Sequence, residues 1–127
     1  MPASSNAGNA VFGQIIKAKT AAYTVTVAES GVLFTNRGAT AAVNFTLPLN
    51  STCPIGTWFE FYGVSATGFT ITSNPADTLV VKNDATADTI TTTTTSLIIG
   101  AAVKVIWDGT GWLTFNESVG PTYAIAT

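Results

Sequence analysis

The sequence predicts an all-β protein: a single antiparallel β-sandwich or barrel-like domain with an extended N-terminal arm. Residues 103–115, V-K-V-I-W-D-G-T-G-W-L-T-F, form two strand-like runs around an Asp-Gly turn, which supplies the positive φ angles that a tight hairpin needs. Gly, Pro, Asn and Asp separate short Thr- and Val-rich segments every ~8–12 residues, which is typical of a sandwich or barrel. No segment keeps a 3.6-residue period over three turns, so helices are expected only as short pieces.

The arm is predicted over residues 1–20. Its first ten residues are mainly Ala, Ser, Asn and Gly, which gain too little from burial to offset the entropy of ordering. The next segment is apolar and would be costly to leave in water, so we expect it to dock on its own domain or on a neighbouring molecule. Two lysines at its margin could pair with an acidic partner. The candidate contact residues are Val11, Phe12, Ile15, Ile16, Lys17 and Lys19.

The β domain is predicted over residues 21–117. Apolar and polar residues alternate along 23–27 and again along 43–47, where Pro48 ends the ladder, and 32–35 forms a short strand between them. The later strands are 69–72, 78–82 and 89–99, followed by the hairpin of 103–115. The predicted core residues are Val25, Val27, Phe45, Leu47, Phe59, Phe61, Ile71, Val103 and Val105.

Residues 57–64 are predicted to form a central strand, because both faces are largely apolar. Phe59 and Phe61 occupy one face. The other face is a candidate subunit seam, meaning a surface buried between copies, and its residues are Trp58, Glu60 and Tyr62. Glu60 needs a partner if it is buried, and Arg37 or Lys104 could supply one.

Two segments leave alternatives open. The five threonines of 91–95 are compatible with a low-complexity linker, but β-branching favours a strand or an ordered loop. Residues 118–127 leave the hairpin through Gly120-Pro121 and are predicted to be a C-terminal extension.

Composition argues against several classes of function. The chain has 127 residues, including seven acidic residues, five basic residues and no histidine, and its net charge is −2. This charge provides no electrostatic attraction for nucleic acid or an anionic membrane, and neither partner is expected. The longest apolar run, 97–107, is shorter than the ~20 residues that a bilayer requires. With 46% hydrophobic residues and 23 threonines, the surface suits protein contact.

Catalytic chemistry is not expected either. Without histidine, neither Ser-His-Asp nor Cys-His catalysis can be built, and zinc lacks its usual ligands. Cys53 is expected to be structural, and calcium binding by Asp77, Asp84 and Asp88 is less favoured than solvated turns. We therefore expect no enzyme, no cofactor and no metal. The three tryptophans could stack on a sugar, but at strand spacing a core or a subunit seam is favoured.

Five segments in order resemble a β module of tailed-phage structural proteins, in particular the small capsid decoration (cement) proteins. They are Y-T-V-T-V-A-E-S-G at 23–31, F-T-N-R-G-A-T at 34–40, V-N-F-T-L-P at 43–48, G-T-W-F-E-F at 56–61 and W-D-G-T-G-W at 107–112. The resemblance implies a homotrimer that binds the major capsid protein on the outer capsid surface and stabilises the head. It also implies synthesis in the host cytoplasm.

Similar modules occur in tail fibres and spikes, so a trimeric fibre or spike, or a receptor- or glycan-binding head domain, is the alternative. A fibre normally carries long repeats or heptads leading to its tip, and this sequence has neither. The free-standing decoration protein is therefore preferred.

Overall fold

Two mixed β-sheets pack face to face in the computed structural model, which describes residues 13–93, 98–116 and 123–127. The strands are β1 (Ile16–Ala18), β2 (Tyr23–Thr24), β3 (Leu33–Thr35), β4 (Val43–Thr46), β5 (Trp58–Tyr62), β6 (Phe69–Thr72), β7 (Leu79–Val81), β8 (Asp84–Ala87), β9 (Thr89–Thr92), β10 (Ala102–Trp107), β11 (Trp112–Asn116) and β12 (Tyr123–Ala126). Short 3-10 helices span Val27–Glu29 and Asn50–Thr52. The predicted all-β class is confirmed.

The seven-stranded sheet has the order β1-β3-β5-β10-β11-β7-β8, and the five-stranded sheet has the order β12-β9-β6-β4-β2. Neither order closes on itself in the described part of the chain, so the architecture is a sandwich and not a barrel.

The expectation of antiparallel pairing was wrong for the strands from β1 to β6 and for the pair of β7 with β11. β1, β3 and β5 pair in parallel, and so do β2, β4 and β6. From β1 to β6 the chain alternates between the two sheets. Each strand therefore runs parallel to the strand that came before it in the same sheet. The Gly- and Asn-containing turns from β1 to β6 are corners between the two sheets, although the same residue types also form the hairpin turns of antiparallel sheets.

The outer parts of the chain also contribute strands. β1 lies within the predicted arm and pairs with β3, while β12 lies within the predicted C-terminal extension and pairs with β9. Val11 and Phe12 lie outside the described residues. The threonine run forms a strand as far as Thr92, and Thr94 and Thr95 are likewise outside the described part.

The core lies between the sheets and is rich in aromatic rings. All the predicted core residues except Val27 are buried. Val27 was a wrong prediction, because the chain leaves extended conformation after β2 and Val27 begins a 3-10 helix. Buried side chains that were not predicted include Phe34, Phe69, Leu79, Ile90 and Trp112. The ring centroids of Phe45 and Phe61 are 5.0 Å apart.

The predicted hairpin is confirmed as β10 and β11, with Trp107 opposite Trp112. Asp108 Oδ1 accepts hydrogen bonds from the backbone N–H groups of Thr110 and Gly111, both at 2.8 Å. Gly109 has φ +97°, a conformation that glycine adopts without the steric cost of a side chain. The side chain of Asp108 thus serves the turn.

Candidate assembly surface

The outer face of the seven-stranded sheet is defined by the pairing register. Paired residues point to the same side of a sheet, and the buried residues of β5 and β10 alternate with those that face outwards. One row across this face is Ile16, Leu33, Glu60, Lys104 and Phe115, and a second is Trp58, Ile106, Leu113 and Val80. We call these residues, together with Ala18, Thr35, Tyr62 and Ala102 in the third row, the outer face.

This outer face is largely apolar although it borders solvent. Ile16 is 62% exposed, Phe115 47% and Tyr62 42%. The corresponding face of the five-stranded sheet is polar by comparison, and carries Thr24, Asn44, Thr46, Thr70, Thr72, Thr89, Thr91, Ala124 and Ala126. Apolar residues therefore line both sides of the seven-stranded sheet but only the inner side of the five-stranded sheet.

β5 is central, as predicted, because it lies between β3 and β10. The sequence also predicted that both faces of β5 are buried. In the single chain only Phe59 and Phe61 are buried, while Trp58 and Glu60 are half-buried and Tyr62 is exposed. The predicted seam residues thus lie side by side on a surface that a partner could cover.

A groove of about 420 Å³ crosses the β1 edge of the outer face. It combines residues from the predicted arm and the predicted seam, which are 46 positions apart at Ile16 and Tyr62. Its lining residues are Ile16, Ala18, Leu33, Thr35, Arg37, Tyr62 and Val64. The lining is apolar except for Thr35, Arg37 and the tyrosine hydroxyl, so it suits an apolar side chain.

Gln14 connects the arm to this face. Its Nε2 donates to the carbonyl of Gly31 at 3.0 Å and to Glu60 Oε1 at 2.6 Å. The partner found for Glu60 is therefore Gln14, whereas Arg37 or Lys104 was expected. Lys104 Nζ instead lies 4.9 Å from the ring centroid of Trp58, in cation–π geometry.

The predicted contact lysines have partners within the chain. Lys17 Nζ donates to Glu29 Oε2 at 2.7 Å, and Lys19 Nζ lies 3.8 Å from the ring centroid of Tyr23. Ile15 is as exposed as Ile16. In this arrangement both lysines hold β1 and the following corner on the domain.

Glu29 is the centre of a buried network that the sequence patterns did not reveal. Its carboxylate also accepts hydrogen bonds from Tyr23 OH at 2.7 Å and from the backbone and side chain of Thr26 at 2.9 and 3.0 Å. Burial alone would raise the pKa of Glu29, but the hydrogen bonds from Lys17, Tyr23 and Thr26 outweigh it and lower the pKa to about 2. The hydrogen bond to Glu29 raises the pKa of Tyr23. The T-x-x-E spacing of a capping box was the available sequence signal.

Asn36 was also missed. Its buried side chain donates to the carbonyls of Ser65 and Gly68 at 3.2 and 3.1 Å, and accepts from the N–H groups of Val64 and Ser65 at 2.7 and 2.8 Å. It therefore fixes the corner between β5 and β6 beside the groove. An Asn in a T-N-R-G turn carries no sequence signal for such a long-range role.

The other candidates take structural positions. Trp107 and Trp112 are buried in the core, so the three tryptophans do not form one exposed platform. Burial raises the pKa of the Cys53 thiol, which disfavours the reactive thiolate. Within the described segments, no three His, Cys, Asp or Glu side chains are close enough to hold a metal ion. Nor does any helix there have the length and apolar character to cross a membrane.

No family model and no curated protein matches the sequence. The case for an assembly surface therefore rests on the physical properties of the outer face and its groove.

Proposed function

We propose that this chain is a structural virion protein of a tailed phage, a capsid decoration (cement) protein. In this proposal it is made in the host cytoplasm, binds the major capsid protein on the outer capsid surface as a homotrimer, and stabilises the head. The phage assignment rests on the resemblance of its five sequence segments, and the structure supports an assembly role.

The apolar outer face is the observation that carries the proposal. A soluble monomer usually keeps large apolar side chains apart on its surface, and contiguous ones mark contact sites. Here Ile16, Tyr62 and Phe115 are exposed on one continuous sheet surface. Only Glu60 and Lys104 bring charge to its middle row, and they are neighbours in the register. Each of them also has a contact within the chain, since Glu60 accepts a hydrogen bond from Gln14 and Lys104 lies over the ring of Trp58.

The positions of the resembling segments are consistent with this role. Segment 34–40 includes Asn36 and the corner that follows β3, and segment 56–61 enters β5. These residues build corners and core strands of the sandwich. They are the kind of residues that a shared scaffold requires, and the contact surface lies on the outer side of that scaffold.

Electron microscopy of purified virions tests the location. The expected result is three copies of the sandwich at each occupied capsomer junction of the head. Density at the tail tip or along a fibre would instead support the fibre or receptor-binding alternative. Absence of the chain from the virion would refute both.

A binding experiment tests the stabilising role. Decoration-free heads are incubated with the wild-type chain, with Phe115→Ser on the outer face, or with Thr72→Ser on the opposite sheet as a matched control. We expect the wild type and the control to bind and to raise the temperature at which the heads release DNA. Equal occupancy and protection by Phe115→Ser would contradict a role of the outer face.

A further inference from the structure

The outward side of β1 is a backbone edge that has no partner strand among the described residues. The Lys19 N–H donates to the Thr35 carbonyl and the Ile15 carbonyl accepts from the Leu33 N–H, both at 2.9 Å. In a parallel pair, alternate residues of a strand face the same neighbour. The N–H and C=O groups of Ile16 and Ala18 therefore face away from β3. β1 is the terminal strand of its sheet, and no described strand pairs with that side.

The groove lies directly beside this edge. Ile16 and Ala18 belong to both, since their side chains line the groove and their backbone groups form the edge. A bound extended segment could thus satisfy backbone groups along β1 and place an apolar side chain against Leu33 and Tyr62. This combination of a free edge and an adjoining apolar pocket is the basis of recognition by strand addition.

The chain carries a suitable occupant outside the described residues. Segment 1–12 has Val11 and Phe12 as its large apolar side chains after Met1, and it contains no charged side chain. Val11 and Phe12 directly precede Gly13, where the described chain begins, so they can extend only about 4–7 Å beyond it. A neighbouring copy must therefore bring its β1 edge up to this point.

Docking on the segment's own groove is disfavoured by the attachment of the next residues. To reach it, the chain would have to reverse within 13–15. The Gln14 side chain is already bonded to Gly31 and Glu60, and the Ile15 carbonyl is bonded to Leu33. These bonds hold Gln14 and Ile15 in place and so restrict such a reversal.

We propose that segment 1–12 of one copy binds the β1 edge of the next copy, with Val11 and Phe12 in the groove. The contact is heterologous, and three such contacts close a ring. The inference rests on the trimer of the proposed function and specifies which surfaces form it.

Disulfide trapping between copies tests the contact. In a Cys53→Ser background, Phe12→Cys and Ala18→Cys are made in separate chains that are mixed and refolded together. Mild oxidation should yield a crosslink between the two variants. The matched control pairs Phe12→Cys with Thr72→Cys on the opposite sheet, and should give at least tenfold less product. Absence of the 12–18 crosslink would overturn the inference. A chain that carries both Phe12→Cys and Ala18→Cys is also oxidised at high dilution, and a crosslink that forms only within this single chain would overturn the inference as well.

A second measurement separates this inference from the virion assignment. The doubly substituted chain Val11→Ser/Phe12→Ser should keep the thermal unfolding of the monomer. The concentration at which its trimer dissociates in sedimentation should rise on the order of 100-fold. An unchanged trimer would refute arm exchange even if the chain is found on the head. A 12–18 crosslink in a chain that is not on the head would refute only the decoration role.

Discussion

Phe61 and Tyr62 are adjacent on β5 but face opposite sides of the seven-stranded sheet, and their substitution should separate folding from assembly. Phe61 is 1% exposed and lies 5.7 Å from Phe34 and 5.0 Å from Phe45, measured between ring centroids. Phe61→Ala removes these contacts and leaves a cavity, so it should cost about 3–5 kcal/mol. Tyr62 is 42% exposed, and Tyr62→Ala should cost under ~1 kcal/mol in the monomer.

Urea unfolding at a concentration where every variant is monomeric measures these free energies. A domain of this size has about 5–15 kcal/mol of total stability, so Phe61→Ala should lower the urea midpoint strongly, and Phe61→Leu should lower it less. Sedimentation at higher concentration should show weaker self-association for Tyr62→Ala alone among the variants that stay folded. Equal losses of monomer stability at the two positions would refute the two-faced assignment of β5. Unchanged association of Tyr62→Ala would refute its place in the seam.

Three further predictions concern the positions that hold the sandwich together. Asn36→Ala leaves backbone groups of the β5–β6 corner without partners and should cost about 2–4 kcal/mol in urea unfolding, whereas a loss under ~1 kcal/mol would contradict this role. Glu29 has a pKa of about 2 in the folded chain against an ordinary value of 4.5, so the stability it adds is complete above pH ~4.5 and is lost as the pH falls towards 2. The stability gap between the wild type and Glu29→Gln should therefore close over this window, and a gap persisting at pH 2 would contradict the network. Gly68→Ala should destabilise more than Gly56→Ala, because both have positive φ but only at Gly68 would the new Cβ overlap Thr92; equal melting temperatures would contradict the contact.

Local sequence patterns predicted which segments are strands better than how those strands pair. The alternation in 43–47 and 57–64 is a property of a pleated backbone in contact with a core, and it correctly identified Phe45, Phe59 and Phe61 as buried. Turn residues show only that a strand ends. A hairpin and a corner to the facing sheet use the same residue types, so the parallel pairs of β1 to β6 could not be distinguished from antiparallel ones.

The candidate surface was partly predictable for the same reason. The apolar residues on both faces of 57–64 indicated an outer contact surface, and the exposed Tyr62 lies on it. The residues that surround Tyr62 on this surface could not be predicted, because they depend on the order of the strands in the sheet. The joining of Ile16 to Leu33 and Glu60 is a long-range register, which no local pattern specifies. The Gln14–Glu60 hydrogen bond follows from that register and was missed with it.

The protection of the sheet edges explains how strand addition at β1 can be specific. Exposed edges invite indefinite pairing, and proteins commonly limit it with very short edge strands and inward-pointing charges. β1 has three residues, and Lys17 points to the side opposite Ile16 and Ala18, where Glu29 neutralises it. A generic strand gains few hydrogen bonds on so short an edge. Additional affinity must come from side chains in the groove, so an incoming segment needs an apolar residue beside Leu33 and Tyr62. Val11 and Phe12 meet this requirement. The contacts of side chains in the groove therefore determine which segment can bind to the β1 edge.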